Sequence, residues 1–139
     1  MANILIFEDE LPLALHWRQR LEAAHHTVQQ CDTIPQAIKI TESTPPDLVI
    51  VDMLVKRGNK TMPEGGLNLI AKLKLMNKVQ PIIIGVSGLR RSRYMASTPL
   101  DVANQMGIDM ALQKPISPDY LLGIVSRLLE DKTVSQNVG

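Results

Sequence analysis

One cysteine, Cys31, is present among 139 residues. A lone cysteine excludes a disulfide framework and a cysteine zinc site, leaving a single buried thiol as the plain reading. An excess of charge is missing as well. The formal net charge is +1, so no basic surplus argues for nucleic acid and no acidic tail argues for a solvating segment. The N-terminal apolar run lacks a preceding basic stretch and is too short for a signal peptide. Nothing approaches the length of a membrane span. There is no internal repeat and no low-complexity tract, and no glycine-rich phosphate loop follows the first apolar run, which weighs against a nucleotide-binding Rossmann domain. A soluble cytoplasmic protein is the expectation, without direct nucleic-acid or membrane contact. With 45% apolar and 21% charged residues, the chain can build one well-packed core but not two. Residues 1–131 are expected to form that one domain, and residues 132–139 a disordered polar C-terminal tail.

What is present is an alternation. Short apolar runs, "NILIF" (3–7), "DLVIVD" (47–52) and "PIIIGVSG" (81–88), show no polar interleaving and predict strands buried on both faces. "TVQQCD" (27–32) is more polar and predicts an edge strand, and "IDMALQ" (108–113) a last strand. Between them, residues 11–25, 34–42, 66–78, 98–106 and the segment from Ser117 carry helical spacing. Pro12, Pro99 and Pro118 fall where a first helical turn tolerates proline. Two stretches, 53–65 and 89–98, are predicted as long irregular loops. Strand–helix alternation repeated five times implies an α/β fold. The expected form is a doubly wound, five-stranded parallel sheet of order 2-1-3-4-5.

Ligands of such sheets bind beyond the carboxyl ends of the strands. There the sequence places Glu8, Asp9 and Glu10 after the first strand, Asp52 after the third, Ser87 and Gly88 after the fourth, and Lys114 after the fifth. Adjacent acids repel unless something compensates them. Carboxylates converging from two strands suit a hard divalent cation, and Mg²⁺ takes one or two of them together with phosphate oxygens. Glu8, Asp9 and Asp52 are the candidate ligands. Asp52 has a second possible task, nucleophilic attack on phosphorus to form an aspartyl phosphate. Ser87 offers a hydroxyl and Lys114 a point charge to the phosphoryl oxygens. Taken singly, each residue has a plainer explanation: helix-capping acids, a turn-forming Asp, a Ser-Gly turn, a solvated lysine. Four strand ends carrying four complementary chemistries make a set.

On "ILIFEDE", "PDLVIVDM", "PIIIGVSG" and "ALQKP", the chain resembles the receiver domain of two-component response regulators, the CheY-like family, over residues 2–131. The resemblance implies a flavodoxin-like three-layer sandwich, Mg²⁺ held by Glu8 and Asp9, and Asp52 as acceptor of a phosphoryl group from a histidine kinase or histidine phosphotransfer protein. It implies that Ser87 and Lys114 sense that group and change the binding of an unidentified downstream protein. Such a chain is a phosphoacceptor rather than an enzyme, beyond self-catalysed phosphoryl transfer and autodephosphorylation.

The sequence departs from the family pattern in three places. Glu8 stands where Asp is usual. Ala111 stands three positions before the lysine, where an aromatic ring usually moves with the hydroxyl residue. The loops after Asp52 and Ser87 are longer than usual. Two alternatives follow: a degenerate receiver serving as a constitutive protein-interaction domain, or an aspartyl-phosphate phosphatase of the haloacid dehalogenase type. The second wants an acid two residues after the nucleophile, where this chain has Leu54.

Overall fold

The structure, a computed structural model, describes residues 1–57, 60–62, 65–76, 80–88 and 98–138, with the backbone alone for 55–57, 60–62 and 134–138. In chain order the elements are β1 (Asn3–Phe7), α1 (Leu11–Ala23), β2 (Thr27–Cys31), α2 (Ile34–Ser43), β3 (Leu48–Asp52), β4 (Val55–Arg57), β5 (Lys60–Met62), α3 (Gly65–Met76), β6 (Ile82–Ser87), α4 (Pro99–Gln105), β7 (Met110–Gln113) and α5 (Pro118–Val138). Five of the strands form one parallel sheet of order β2-β1-β3-β6-β7. Numbered among themselves, these five have the expected 2-1-3-4-5 order.

The apolar runs are strands because their side chains are divided between two cores. Ile4, Ile6, Leu48, Ile50, Ile82, Ile84 and Val86 face α1 and α5, meeting Ala14, Trp17, Leu21, Leu121 and Val125. The intervening Leu5, Phe7, Val49, Val51 and Ile83 join Ala37, Leu69, Ile70, Leu73 and Ala103 of α2, α3 and α4. Successive strand residues point to opposite faces, so a sheet covered on both sides needs uninterrupted apolar strands.

Helix starts follow the local chemistry. Thr33 accepts a hydrogen bond from the backbone N–H of Gln36 and caps α2. Thr98 and Asp101 form a reciprocal capping box at α4. The first helix ends at Ala23, short of His25, which lies beyond it with a left-handed φ of 72°.

Two sequence expectations differ from the backbone observed. The stretch after Asp52 is not wholly irregular: β4 and β5 pair antiparallel as a small separate hairpin, with Arg57 opposite Lys60. Gly58 and Asn59 separate them in the chain, a pairing of residues favoured in two-residue hairpin turns. At the C-terminus, α5 is helical through Val138, across the residues expected to form a tail. No glycine or proline interrupts it after Gly123, and Lys132 Nζ donates to the Gln80 carbonyl at 3.1 Å. The polar loop predicted at 89–98, with Arg90, Arg91 and Arg93, lies outside the described residues except for Thr98.

Candidate functional site

The sheet register brings the predicted residues to one edge. Phe7 pairs with Val51, and Asp52 pairs with Val86. Main-chain bonds continue the pairing past the strand ends: Glu8 N–H donates to Cys31 O at 3.0 Å, Met53 N–H to Val86 O at 2.8 Å, and Lys114 N–H to Ser87 O at 2.8 Å. The residues following β1, β3 and β7 are therefore each held by a backbone hydrogen bond to the end of a neighbouring strand.

Three carboxylates converge there. Glu8, Asp9 and Asp52 each offer an oxygen within 4.8 Å of the others. Glu8 and Asp52 are buried and Asp9 is half-buried. Glu8 Oε1 accepts the backbone N–H of Glu10 at 3.2 Å and the Lys114 ammonium at 3.1 Å. Its Oε2 lies 3.0 Å from the same ammonium but makes no hydrogen bond of acceptable geometry. Lys114 Nζ is also 3.8 Å from Asp52 Oδ2 and 3.9 Å from Glu10 Oε2. Asp52 Oδ1 accepts the Leu54 N–H at 3.1 Å. Ser87 is buried at the end of β6.

The electrostatics follow from burial. Asp52 is pushed up to about 7, first by desolvation and next by the Glu8 charge, with Lys114 and the Leu54 N–H opposing. Glu8 is raised as well, chiefly by desolvation, against the pull of Lys114. Glu8 and Asp52 both lie close to the Lys114 ammonium, and Asp9 completes a pocket rich in oxygen donors. Glu8 Oε2, which has the Lys114 ammonium at 3.0 Å but makes no hydrogen bond, adds a further buried oxygen. This donor set suits a hard divalent cation such as Mg²⁺.

The sequence reading brought Glu8, Asp9, Asp52, Ser87 and Lys114 to one end of the sheet, and all five occur there. It missed the proximity of Glu10 to Lys114, although the acid run contained it. It also missed Trp17, whose indole N–H donates to the Ile116 carbonyl at 3.1 Å. In the sequence, Trp17 shares one helical face with Ala14, Leu21 and Ala24, which marks it only as core-facing. Cys31 is buried, and desolvation pushes its thiol up to about 12.

The fold and site together make this a five-stranded, doubly wound α/β domain with an acid cluster at the carboxyl ends of its strands. The chain belongs to the response regulator receiver domain family, whose model matches residues 4–126. Phosphorylation-controlled signalling is the general function of that family, and its members bind Mg²⁺ at an acidic pocket. They interact with histidine kinases or phosphotransfer proteins and with downstream effectors. Among solved structures, NtrX from Brucella abortus is similar at 21% identity and TM-score 0.81, over 99% of this chain and 29% of that one. The chain thus spans under a third of NtrX. A two-component response regulator from Clostridium difficile matches at 18% identity and TM-score 0.77, over 94% of this chain and 97% of that one. A CheY-like receiver domain protein from Methanospirillum hungatei JF-1 matches at 20% identity and TM-score 0.79, over 97% and 98%. At these identities the likeness shows the fold. No curated protein matches the sequence. Among the described residues, no helix is long and apolar enough to cross a membrane.

Proposed function

We propose that Asp52 accepts a phosphoryl group from a phosphohistidine of a histidine kinase or histidine phosphotransfer protein, and that the product changes binding to a downstream protein. One observation carries this reading: Asp52 is buried at the acid cluster, within 4.8 Å of the Glu8 and Asp9 oxygens and 3.8 Å of the Lys114 ammonium. An Asp52 carboxylate oxygen attacks phosphorus, the P–N bond breaks, and the donor imidazole leaves. Little covalent work falls to the protein in such a loose displacement, so positioning and charge stabilisation dominate.

Glu8, Asp9 and Asp52 would hold Mg²⁺. The ion would neutralise charge on the transferring phosphoryl oxygens and favour the ionised form of Asp52. Lys114 approaches Asp52 from the end of β7 and supplies a cation for a phosphoryl oxygen. Ser87 supplies a hydroxyl from the end of β6. The Leu54 N–H, already on Asp52 Oδ1, fixes the carboxylate's orientation. Leu54 cannot serve as the acid/base that an aspartyl phosphatase needs, so the chemistry ends at the phosphorylated protein and its slow hydrolysis. On this reading the chain acts in the cytoplasm as a phosphoacceptor.

Intact-mass spectrometry after incubation with Mg²⁺ and acetyl phosphate tests the assignment. One added phosphoryl group is expected, abolished in Asp52→Asn. An unlabelled wild type would favour constitutive protein interaction. Labelling that persists in Asp52→Asn would move the acceptor elsewhere.

A further inference from the structure

Lys114 lies on a short strap whose far end is fixed in the core. Its backbone N–H is bonded to Ser87 O at 2.8 Å, and its ammonium lies against Glu8. Two residues on, the Ile116 carbonyl accepts the Trp17 indole N–H at 3.1 Å, across 99 positions of sequence. Trp17 is fully buried on α1 and packs in the core with Ile116, Leu121 and Val125. The same helix begins directly after the acid run, with Glu10 at its N-cap. One rigid helix therefore borders the acid run at its start and holds the lysine strap by a buried hydrogen bond two turns along.

We infer that Trp17 is a positioning residue for Lys114, anchoring the 114–116 strap to α1 so that a change in the lysine's partner is transmitted to the α1–α5 seam. This rests on the receiver reading of Asp52. The argument is geometric. A phosphoryl group on Asp52 would draw the ammonium from Glu8 toward Asp52, whose Oδ2 now lies 3.8 Å from it. A four-carbon stem can absorb part of that movement, and the backbone of the strap absorbs the rest. Ser87 O restrains the strap at Lys114 N, and Trp17 restrains it at Ile116 O. A buried carbonyl with one fixed donor is costly to unpair, so displacement is passed to the indole instead of being lost in loop motion. Beyond Ile116, α5 begins at Pro118, and Asp119 in its first turn meets Arg20 of α1 at 2.6 Å. The seam where this movement would emerge is thus joined by a buried bond and a surface ion pair. Ala111 has no ring to rotate, so this route does not depend on the ring movement usual in the family.

The ¹H–¹⁵N resonance of the Trp17 indole, recorded on the whole chain, tests the inference. Mg²⁺ with beryllofluoride serves as the phosphoryl mimic. Trp17 is the only tryptophan, so the signal needs no assignment. In the wild type, the mimic should shift both the indole resonance and the backbone amides around Asp52. In Lys114→Met the amides should still respond while the indole does not. Trp17→Phe keeps the buried ring but removes the donor. It should slow labelling by acetyl phosphate roughly tenfold, the lower range for loss of a supporting contact, with little change in the Mg²⁺ dissociation constant. Amides that respond without any indole shift would overturn the inference and leave the receiver reading intact. An indole shift that persists in Lys114→Met would overturn it too, since the signal would then bypass the lysine. Failure of the Asp52 amides to respond would remove both.

Discussion

The ammonium of Lys114 is closer to Glu8 than to Asp52, at 3.0 Å from Glu8 Oε2 and 3.8 Å from Asp52 Oδ2. Glutamate is one methylene longer than the aspartate usual at this position, and that extra reach is consistent with the closer pairing. The lysine neutralises part of the charge that a divalent cation would otherwise meet, so lysine and cation compete for Glu8. Lys114→Met keeps most of the stem and removes the charge. It should tighten Mg²⁺ binding by up to about tenfold, because two cations in one pocket repel and Glu8 is released to the ion. In the absence of metal it should destabilise the fold by about 1–3 kcal/mol, since a buried carboxylate loses its partner. Calorimetric titration and urea unfolding measure the two. Weaker Mg²⁺ binding in the variant would mean that the lysine assists the metal.

The pH dependence has a definite sign. Asp52 is raised in the folded state from an ordinary value of 3.8 to about 7, by desolvation and then by Glu8. A raised carboxyl binds its proton more tightly when folded, so its contribution to stability is complete below 3.8 and is lost as pH climbs through about 7. Glu8 is displaced in the same direction. Without divalent metal, the melting temperature should therefore fall across this interval. Mg²⁺ held by Glu8, Asp9 and Asp52, as proposed, would favour the ionised acids, so the stabilisation it adds should grow over the same range. Asp52→Asn removes one titrating group and should give a flatter profile and a more stable protein at pH 8. Thermal unfolding of both proteins, with EDTA or with Mg²⁺, checks each part. A wild-type melting temperature that rises steadily from pH 4 to 8 in EDTA would contradict it.

Much of this site is legible in the sequence, and the reason is topological. Parallel strands pass their carboxyl ends to one side, so Glu8, Asp52, Ser87 and Lys114 could be brought together from the ends of their apolar runs alone. Side-chain pairing was not legible in the same way. Whether Lys114 meets Glu8 or Asp52 depends on differences below 1 Å, set by side-chain length and rotamer. The Trp17–Ile116 bond joins groups 99 positions apart, and one of them is a main-chain carbonyl with no sequence signature. The β4–β5 hairpin escaped because its strands have three residues each. Runs that short, carrying Lys56, Arg57 and Lys60, show too little hydrophobic alternation to stand out. The Gly58–Asn59 pair was the available signal.

Helix α4 should respond to the state of Asp52. It packs over β6 and β7, where Gly85 pairs with Ala111. Leu100 and Ile108 crowd Gly85, to 3.4 and 3.0 Å from where a Cβ would lie. Side chains from α4 and the turn after it thus rest directly on a small-residue floor, two residues from Ser87. Phosphorylation should draw the Ser87 hydroxyl toward the phosphoryl group through a charge-assisted bond, disturbing that floor. Amide hydrogen exchange with and without beryllofluoride should change in residues 98–106. Changes confined to the immediate surroundings of Asp52 would show that α4 is not part of the output.

Gly66 sets how closely α3 approaches the end of β3. A Cβ there would lie 2.5 Å from the Asp52 carbonyl oxygen and 2.8 Å from Met53 Cα. Both are backbone atoms at the end of a central strand, so neither can swing aside as a side-chain tip would. Gly66→Ala must push α3 outward or displace the peptide that follows Asp52. Overpacking of this kind costs about 1–3 kcal/mol. The more telling effect is on chemistry. The Leu54 N–H that orients the Asp52 carboxylate belongs to the same short segment, and misplacement by about 1 Å can slow a positioned reaction by about a hundredfold. Labelling by acetyl phosphate should therefore fall by more than the loss of stability explains, measured at a temperature where the variant is fully folded. Gly123 provides the control. It lies in α5 with nothing within 4 Å of an added Cβ, so Gly123→Ala should stabilise the helix by about 0.5–1 kcal/mol and leave labelling unchanged. Equal labelling rates in Gly66→Ala and Gly123→Ala would show that the contact at Gly66 serves packing alone.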